Sequence, residues 1–188
     1  MPEQSDQPDP DGTDAVEVPS ADDLGDLAVG LHTLLQLREQ TMATAESLTG
    51  GMVAETLTDA PGASQTFVGG VVTYATELKV SLLGVTQECV DEHGVVSAQC
   101  AEAMAEGARR LTGATYAVST TGVAGPGPQE DKPVGTVFVG VAGPEGTSSD
   151  ELALPGERDT VRRAATGAAL SALTARLTEG AREESPVR

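Results

Sequence analysis

The chain has 188 residues, enough for one domain with a full core and a short tail. Its 11 basic and 29 acidic residues leave a formal net charge of −18, which argues against a nucleic-acid backbone or an anionic membrane as partner. Phe67, Tyr74, Tyr116 and Phe138 are the only aromatic residues, so the core must be built from Ala, Val and Leu.

In chain order, residues 1–20 are rich in Pro, Asp, Gly and Ser and read as a disordered acidic tail. Ser20-Ala21-Asp22-Asp23 has the form of a capping box, and Leu24, Leu27, Ala28, Leu31, Leu34 and Leu35 continue at helical spacing to about Glu39. Thr41 to Ala45 is a short strand. Gly50 to Asp59 reads as a helix stopped by Ala60-Pro61-Gly62. Thr66 to Thr73 is rich in β-formers, and its Gly69-Gly70 pair suggests a bulge or a close approach by another backbone. Short helices follow over Ala75–Leu83 and Thr86–Glu92. A stronger one opens at Ser97, with Ala101, Met104, Ala105, Ala108 and Leu111 on one face.

Tyr116 to Ser119 is a strand that runs into the glycine-rich loop Thr121–Pro128. Val134 to Ala142 is a near-continuous apolar strand. Gly143-Pro144-Glu145-Gly146 is turn chemistry, and Ser148 to Leu154 returns as the hairpin partner. A last helix spans about Glu157 to Glu179, with Val161, Ala165, Ala169, Leu173 and Leu177 inward; 181–188 read as a flexible end. Strands separated by helices predict an α/β fold with a mixed, mainly parallel sheet in one domain over 21–180.

The acidity fits either adaptation to high salt or a GC-rich genome, and neither bears on chemistry. Cys89 and Cys100 match no metal spacing and no disulfide framework. No cofactor and no metal are expected. With no long apolar run and an acidic N-terminus, no membrane span or signal peptide is expected, and the expected compartment is the cytoplasm. His32 and His93 stand alone and read as structural.

Four segments can carry chemistry. Ser47, in Glu46-Ser47-Leu48-Thr49-Gly50-Gly51, lies between a strand and a helix. It reads either as a helix cap or as a nucleophile with N–H groups of Thr49, Gly50 and Gly51 beside it. Tyr74 ends a strand, and Lys79, one of two lysines, lies about one turn into the next helix. A lysine desolvated there can be a neutral base near pH 7, with Tyr74 holding it in register or relaying a proton; the other reading is a solvated surface lysine. The Thr121–Gly127 loop can cradle a phosphate or carboxylate, with Gly122 and Gly125 as contacts; it matches neither a Walker loop nor a dinucleotide fingerprint. Arg158, Arg162 and Arg163 cluster at a helix start, where they oppose the macrodipole. They serve an anionic substrate or form salt bridges with Glu157 and Asp159.

These segments together resemble the C-terminal domain of the CinA (competence/damage-inducible) family. The matching pieces are Ala45–Gly51, Val72–Lys79, Leu83–Val85, His93–Ser97, Thr121–Pro126, Lys132–Val137 and Arg158–Arg162, in family order across roughly 24–178. The resemblance implies a three-layer α/β/α sandwich, a homodimer or higher homo-oligomer, and hydrolysis of nicotinamide mononucleotide (NMN) to nicotinate mononucleotide and ammonia. It implies Ser47 as nucleophile and Lys79 as base, assisted by Tyr74 and Thr121. It also implies a place in pyridine-nucleotide recycling. The stretch before the first helix is too short for the extra N-terminal domain that larger members carry. The family often has Cys where this chain has Leu48, and Gly127-Pro128-Gln129-Glu130-Asp131 is less glycine-rich than usual. The alternatives are a non-enzymatic nucleotide-binding or regulatory protein, or a serine–lysine amidase on another small amide.

Overall fold

The computed structural model describes residues 18–183. Helix α1 (Ala21–Leu37) starts at a capping box: Ser20 Oγ accepts from the Asp23 amide, and the Asp23 carboxylate accepts from the Ser20 amide. Strand β1 (Met42–Glu46), helix α2 (Met52–Asp59), the single turn α3 (Ala63–Thr66) and strand β2 (Phe67–Val72) follow. Then come α4 (Thr76–Leu83), α5 (Gln87–His93), α6 (Ala98–Thr112), β3 (Tyr116–Gly122), the hairpin β4 (Thr136–Gly143) and β5 (Gly146–Ala153), and α7 (Arg158–Glu183).

The five strands lie in the order β2-β1-β3-β4-β5. The β1–β2 and β1–β3 pairings are parallel, and β3–β4 and β4–β5 are antiparallel. Four strands therefore point one way and β4 alone is reversed. The sheet is mixed and mainly parallel in direction, although its pairings divide evenly.

Strand alternation explains the two helical layers. Met42, Tyr116, Val118, Val137, Val139 and Val141 face α1, α2 and α7. Ala43, Ala45, Ala117 and Phe138 face the other way, toward Leu83 of α4 and Cys100, Ala101, Met104 and Ala108 of α6. Small side chains on that second face let α6 lie close to the sheet. A methyl group at Gly140 would sit 2.4 Å from the Ala101 carbonyl oxygen, and Ser119 donates to the same carbonyl at 2.6 Å. An alanine-rich chain with few aromatics thus closes its core by proximity rather than by bulk.

Several boundaries differ from the sequence reading: α2 starts at Met52, β3 runs on to Gly122 and β5 starts at Gly146, and three further differences have a physical reason. Turn α3 has no periodic signal of its own. It is held by buried His32, whose ring bonds Thr66 and the Leu57 carbonyl, which gives that histidine its structural role. Helix α7 continues through Glu183, past the boundary drawn at 180, and passes two internal glycines, Gly167 and Gly180, each of which costs a helix only about 1 kcal/mol. Residues 18–20 belong to the domain rather than to a tail: Ser20 caps α1, and a methyl at Gly167 of α7 would meet Pro19 at 2.9 Å. The rest of the tail reading, 1–17, and residues 184–188 lie outside the described residues. Among the described residues no helix is long and apolar enough to cross a membrane.

Candidate active site

Ligands in open α/β sheets bind beyond the carboxyl ends of the strands. Here β1 ends at Ser47, β2 at Thr73 and Tyr74, and β3 at Gly122. The Ser47 amide donates to Thr120 O (2.9 Å), and the Thr73 amide donates to Glu46 O (2.8 Å). These two bonds extend both parallel ladders by one step, so Ser47 is fixed between the ends of β2 and β3.

Lys79 comes up from the first turns of α4 and is 1% exposed. Its Nζ lies 3.0 Å from Ser47 Oγ, 2.7 Å from Thr73 O and 3.4 Å from Tyr74 O. Among the described residues it has no salt-bridge partner. Burial pushes its pKa below the ordinary 10.5, opposed by the charges of Cys100, Glu130 and Glu77. Cys100 contributes little of that opposition near neutral pH. Burial pushes its thiol up to about 12, so the thiolate is absent there.

The turn after Ser47 is built by a residue that the sequence reading passed over. Glu46 is 1% exposed, and its carboxylate accepts from the Thr49 hydroxyl (2.7 Å) and the amides of Gly51 (2.9 Å), Val53 (3.1 Å) and Ala54 (2.8 Å). Glu46 thus caps α2 from the preceding strand. Ser47 does not cap it: the N-cap position is Gly51, which carries no side-chain cap. The sequence signal was a carboxylate at a strand end just before a helix start.

This corrects the expected set of oxyanion donors. The Gly51 amide is engaged by Glu46, and the Gly50 amide donates to Ser47 O at 3.1 Å. Thr49 is buried, its hydroxyl shared between Glu46 and Thr120. The Leu48 and Thr49 amides donate to no group among the described residues, and Leu48 lines the pocket. The residue after a nucleophile is the usual place for an oxyanion donor.

A cavity of about 330 Å³ opens above the Ser47–Lys79 pair. One wall is Val95 and Val96, another is the loop Gly122–Gln129, and Tyr74 and Arg158 stand across from them. Gly122 and Gly125 are both part of this lining. In a chain of net charge −18 the lining holds, among the described residues, Lys79 and Arg158 and no Asp or Glu.

Other expected contacts fall elsewhere. Arg162 donates to Thr49 O (2.7 and 3.3 Å) and so braces the serine turn instead of facing ligand. Arg163 pairs with Asp159 at 2.9 Å on the surface of α7, as the salt-bridge reading had it. Arg158 alone of the three reaches the pocket, donating to Gly125 O (2.8 Å) and Tyr74 Oη (2.9 Å). Tyr74 is 56% exposed, its hydroxyl is held by Arg158, and it is the Tyr74 backbone carbonyl that meets Lys79. Thr121 Oγ1 donates to Val95 O at 2.6 Å, which fixes the pocket wall rather than joining a relay to Ser47. Among the described residues no group of three His, Cys, Asp or Glu is placed to hold a metal ion.

A three-layer α/β/α domain with a serine–lysine pair at the carboxyl ends of its parallel strands defines the class. A sequence model of the CinA C-terminal domain matches residues 25–177, so this chain belongs to that family. A CinA-like protein of Frankia casuarinae is 55% identical over 137 residues, 73% of this chain and 32% of the relative. One from Anaeromyxobacter dehalogenans is 50% identical over 153 residues, 81% of this chain and 37% of the relative. The chain spans about a third of the length of these curated relatives. The crystal structure of the competence/damage inducible protein CihA from Agrobacterium tumefaciens superposes with a TM-score of 0.79 at 35% identity, covering 86% of this chain and 98% of that one. A CinA superfamily protein from Klebsiella pneumoniae gives 0.81 at 30% identity, covering 83% and 98%.

Proposed function

We propose that this protein hydrolyses the carboxamide of NMN to nicotinate mononucleotide and ammonia through a Ser47–Lys79 pair. The observation that carries the reading is the placement of Lys79 Nζ. Two backbone carbonyls take two of its N–H groups, and its third corner faces Ser47 Oγ at 3.0 Å. In the neutral amine that corner is the lone pair, which then accepts the serine proton.

Ser47 Oγ attacks the carboxamide carbon while Lys79 takes its proton. The Leu48 amide, helped by Thr49, receives the oxyanion, a contribution of about 3 kcal/mol per donor. The C–N bond breaks, and Lys79 returns the proton to the leaving nitrogen as ammonia departs. Water then attacks the Ser47 ester with Lys79 as base, which releases the acid and restores the serine. Arg158, the one pocket cation apart from the base among the described residues, meets the substrate phosphate. The acid-free lining supports an anionic substrate in so acidic a chain. A homodimer or higher homo-oligomer is part of the same proposal.

The test is ammonia release from NMN, nicotinamide riboside and nicotinamide. NMN is turned over best, since it alone carries a phosphate. Ser47→Ala and Lys79→Ala abolish release while circular dichroism stays unchanged. More than about a tenth of the wild-type rate in Ser47→Ala would remove Ser47 as nucleophile. Equal turnover of all three amides would favour a different small amide as substrate.

A further inference from the structure

We infer that Glu130 is a positioning residue that latches the loop after β3 onto the Gly94–Val96 turn and thereby sets how tightly the pocket holds its substrate. Glu130 Oε1 accepts from the Val95 amide at 3.1 Å, and Oε2 accepts from the Val96 amide at 3.0 Å. Val95 and Val96 form one pocket wall, and Pro126–Gln129 form the wall beside it. Glu130 follows directly on Gln129, so its carboxylate ties the two walls together. Thr121 holds the same Val95 from its carbonyl side at 2.6 Å.

The local backbone is shaped for this contact. Gln129 and Lys132 exchange backbone bonds of 3.1 and 2.9 Å, leaving Glu130 and Asp131 as the two tip residues of a tight turn. Both tip residues have positive φ, 51° and 58°, a region better suited to Asn and Gly. Such conformations persist where surrounding contacts fix them, and the paired amides are such a contact. Gly94 has φ 76°, and a methyl there would lie 2.4 Å from Glu130 Oε2, so the glycine leaves room for the carboxylate. The stretch Gln129-Glu130-Asp131, which sets this loop apart in sequence, is the stretch that makes the latch.

The engagement has an electrostatic side. A carboxylate beside a pocket for an anion would repel it, but here both oxygens are turned onto amides. Glu130 and Glu77 are the carboxylates that oppose the lowering of the Lys79 pKa by burial.

The kinetic arm of the test rests on the amidohydrolase reading, and the exchange arm does not. Amide hydrogen exchange of Val95 and Val96 and NMN kinetics are measured on the full chain as wild type, Glu130→Ala and Glu130→Gln. Glu130→Ala speeds exchange at both amides by about tenfold or more and raises KM for NMN about tenfold, with kcat within about threefold. Glu130→Gln, which keeps one acceptor, falls between. Unchanged exchange overturns the latch. Faster exchange with unchanged KM overturns its control of the pocket. If the wild type releases no ammonia from NMN, the amidohydrolase reading fails separately. Calorimetric Kd for NMN then replaces KM, and equal affinity in all variants, or no binding, overturns the inference.

Discussion

Replacing Glu46 by Gln tests whether the serine turn is built as described. The carboxylate collects four donors: Thr49 Oγ1, Gly51 N and Val53 N on Oε2, and Ala54 N on Oε1. Glutamine keeps the size but has one acceptor oxygen. Placed at Oε2 it still serves three donors, while its NH₂ group faces the Ala54 amide, donor against donor. A lost hydrogen bond to a charged group is worth about 1.5–3 kcal/mol, and the remaining three weaken from charge-assisted to neutral. Removing the charge also removes the desolvation cost of a buried ion, which holds the total to about 3 kcal/mol. For a chain of this length that lowers Tm by about 6–12 °C.

Urea unfolding followed by circular dichroism measures the loss, read as a shift of midpoint at constant slope. The same substitution loosens the turn that aims Ser47, so kcat for NMN falls tenfold or more while KM changes little; misplacing a reacting group by about 1 Å can cost about a hundredfold. A stability change below about 0.5 kcal/mol together with an unchanged kcat would refute the assignment of Glu46 as the organiser of this turn.

Two further outcomes follow from the site. Lys79 must be neutral to act as base, so kcat/KM falls with acidity below its folded pKa; since burial lowers that pKa, the midpoint of this limb lies below 10.5, and a midpoint at or above 10.5 would exclude Lys79 as base. Arg158→Ala raises KM for NMN by tenfold or more but leaves nicotinamide riboside within about twofold, and an equal effect on both would remove Arg158 from the phosphate.

The elements were legible in sequence where one period held over several turns, as in α1, α6 and α7. The Ser47–Lys79 pair was legible through ordered motifs and not from either residue alone. What the pattern missed was set by contacts far apart in the chain. Arg162 reaches Thr49 across 113 positions, and His32 holds Thr66 across 34. No local rule distinguishes an arginine that braces a carbonyl from one that awaits a phosphate. Glu46 was missed for a different reason: it reads as the last residue of a strand, and only the fold reveals four donors converging on it. Arg163 went the other way, because its partner Asp159 sits four residues earlier and the i,i+4 pair was visible in sequence.

The acidity of the chain, which carried no chemical message at first reading, bears on the base. A surrounding field of net charge −18 favours a protonated lysine, whereas the proposed mechanism needs a neutral one. Burial of Lys79 opposes that field. Glu46, next to Ser47, is engaged by amides and Thr49, and Glu130 by Val95 and Val96, while Glu77, which also bears on Lys79, is exposed to solvent. What remains is the long-range part, carried by exposed Asp and Glu, and salt screens it. The Debye length falls from about 10 Å at 0.1 M to about 3 Å at 1 M. Raising salt therefore lowers the Lys79 pKa and shifts the acid limb of kcat/KM toward lower pH, while weakening the Arg158–phosphate contact and raising KM for NMN. Nicotinamide riboside, without the phosphate, shows the limb shift alone. A limb that moves to higher pH with salt would mean that the acidic surface does not act on Lys79 in the sense derived from the structure.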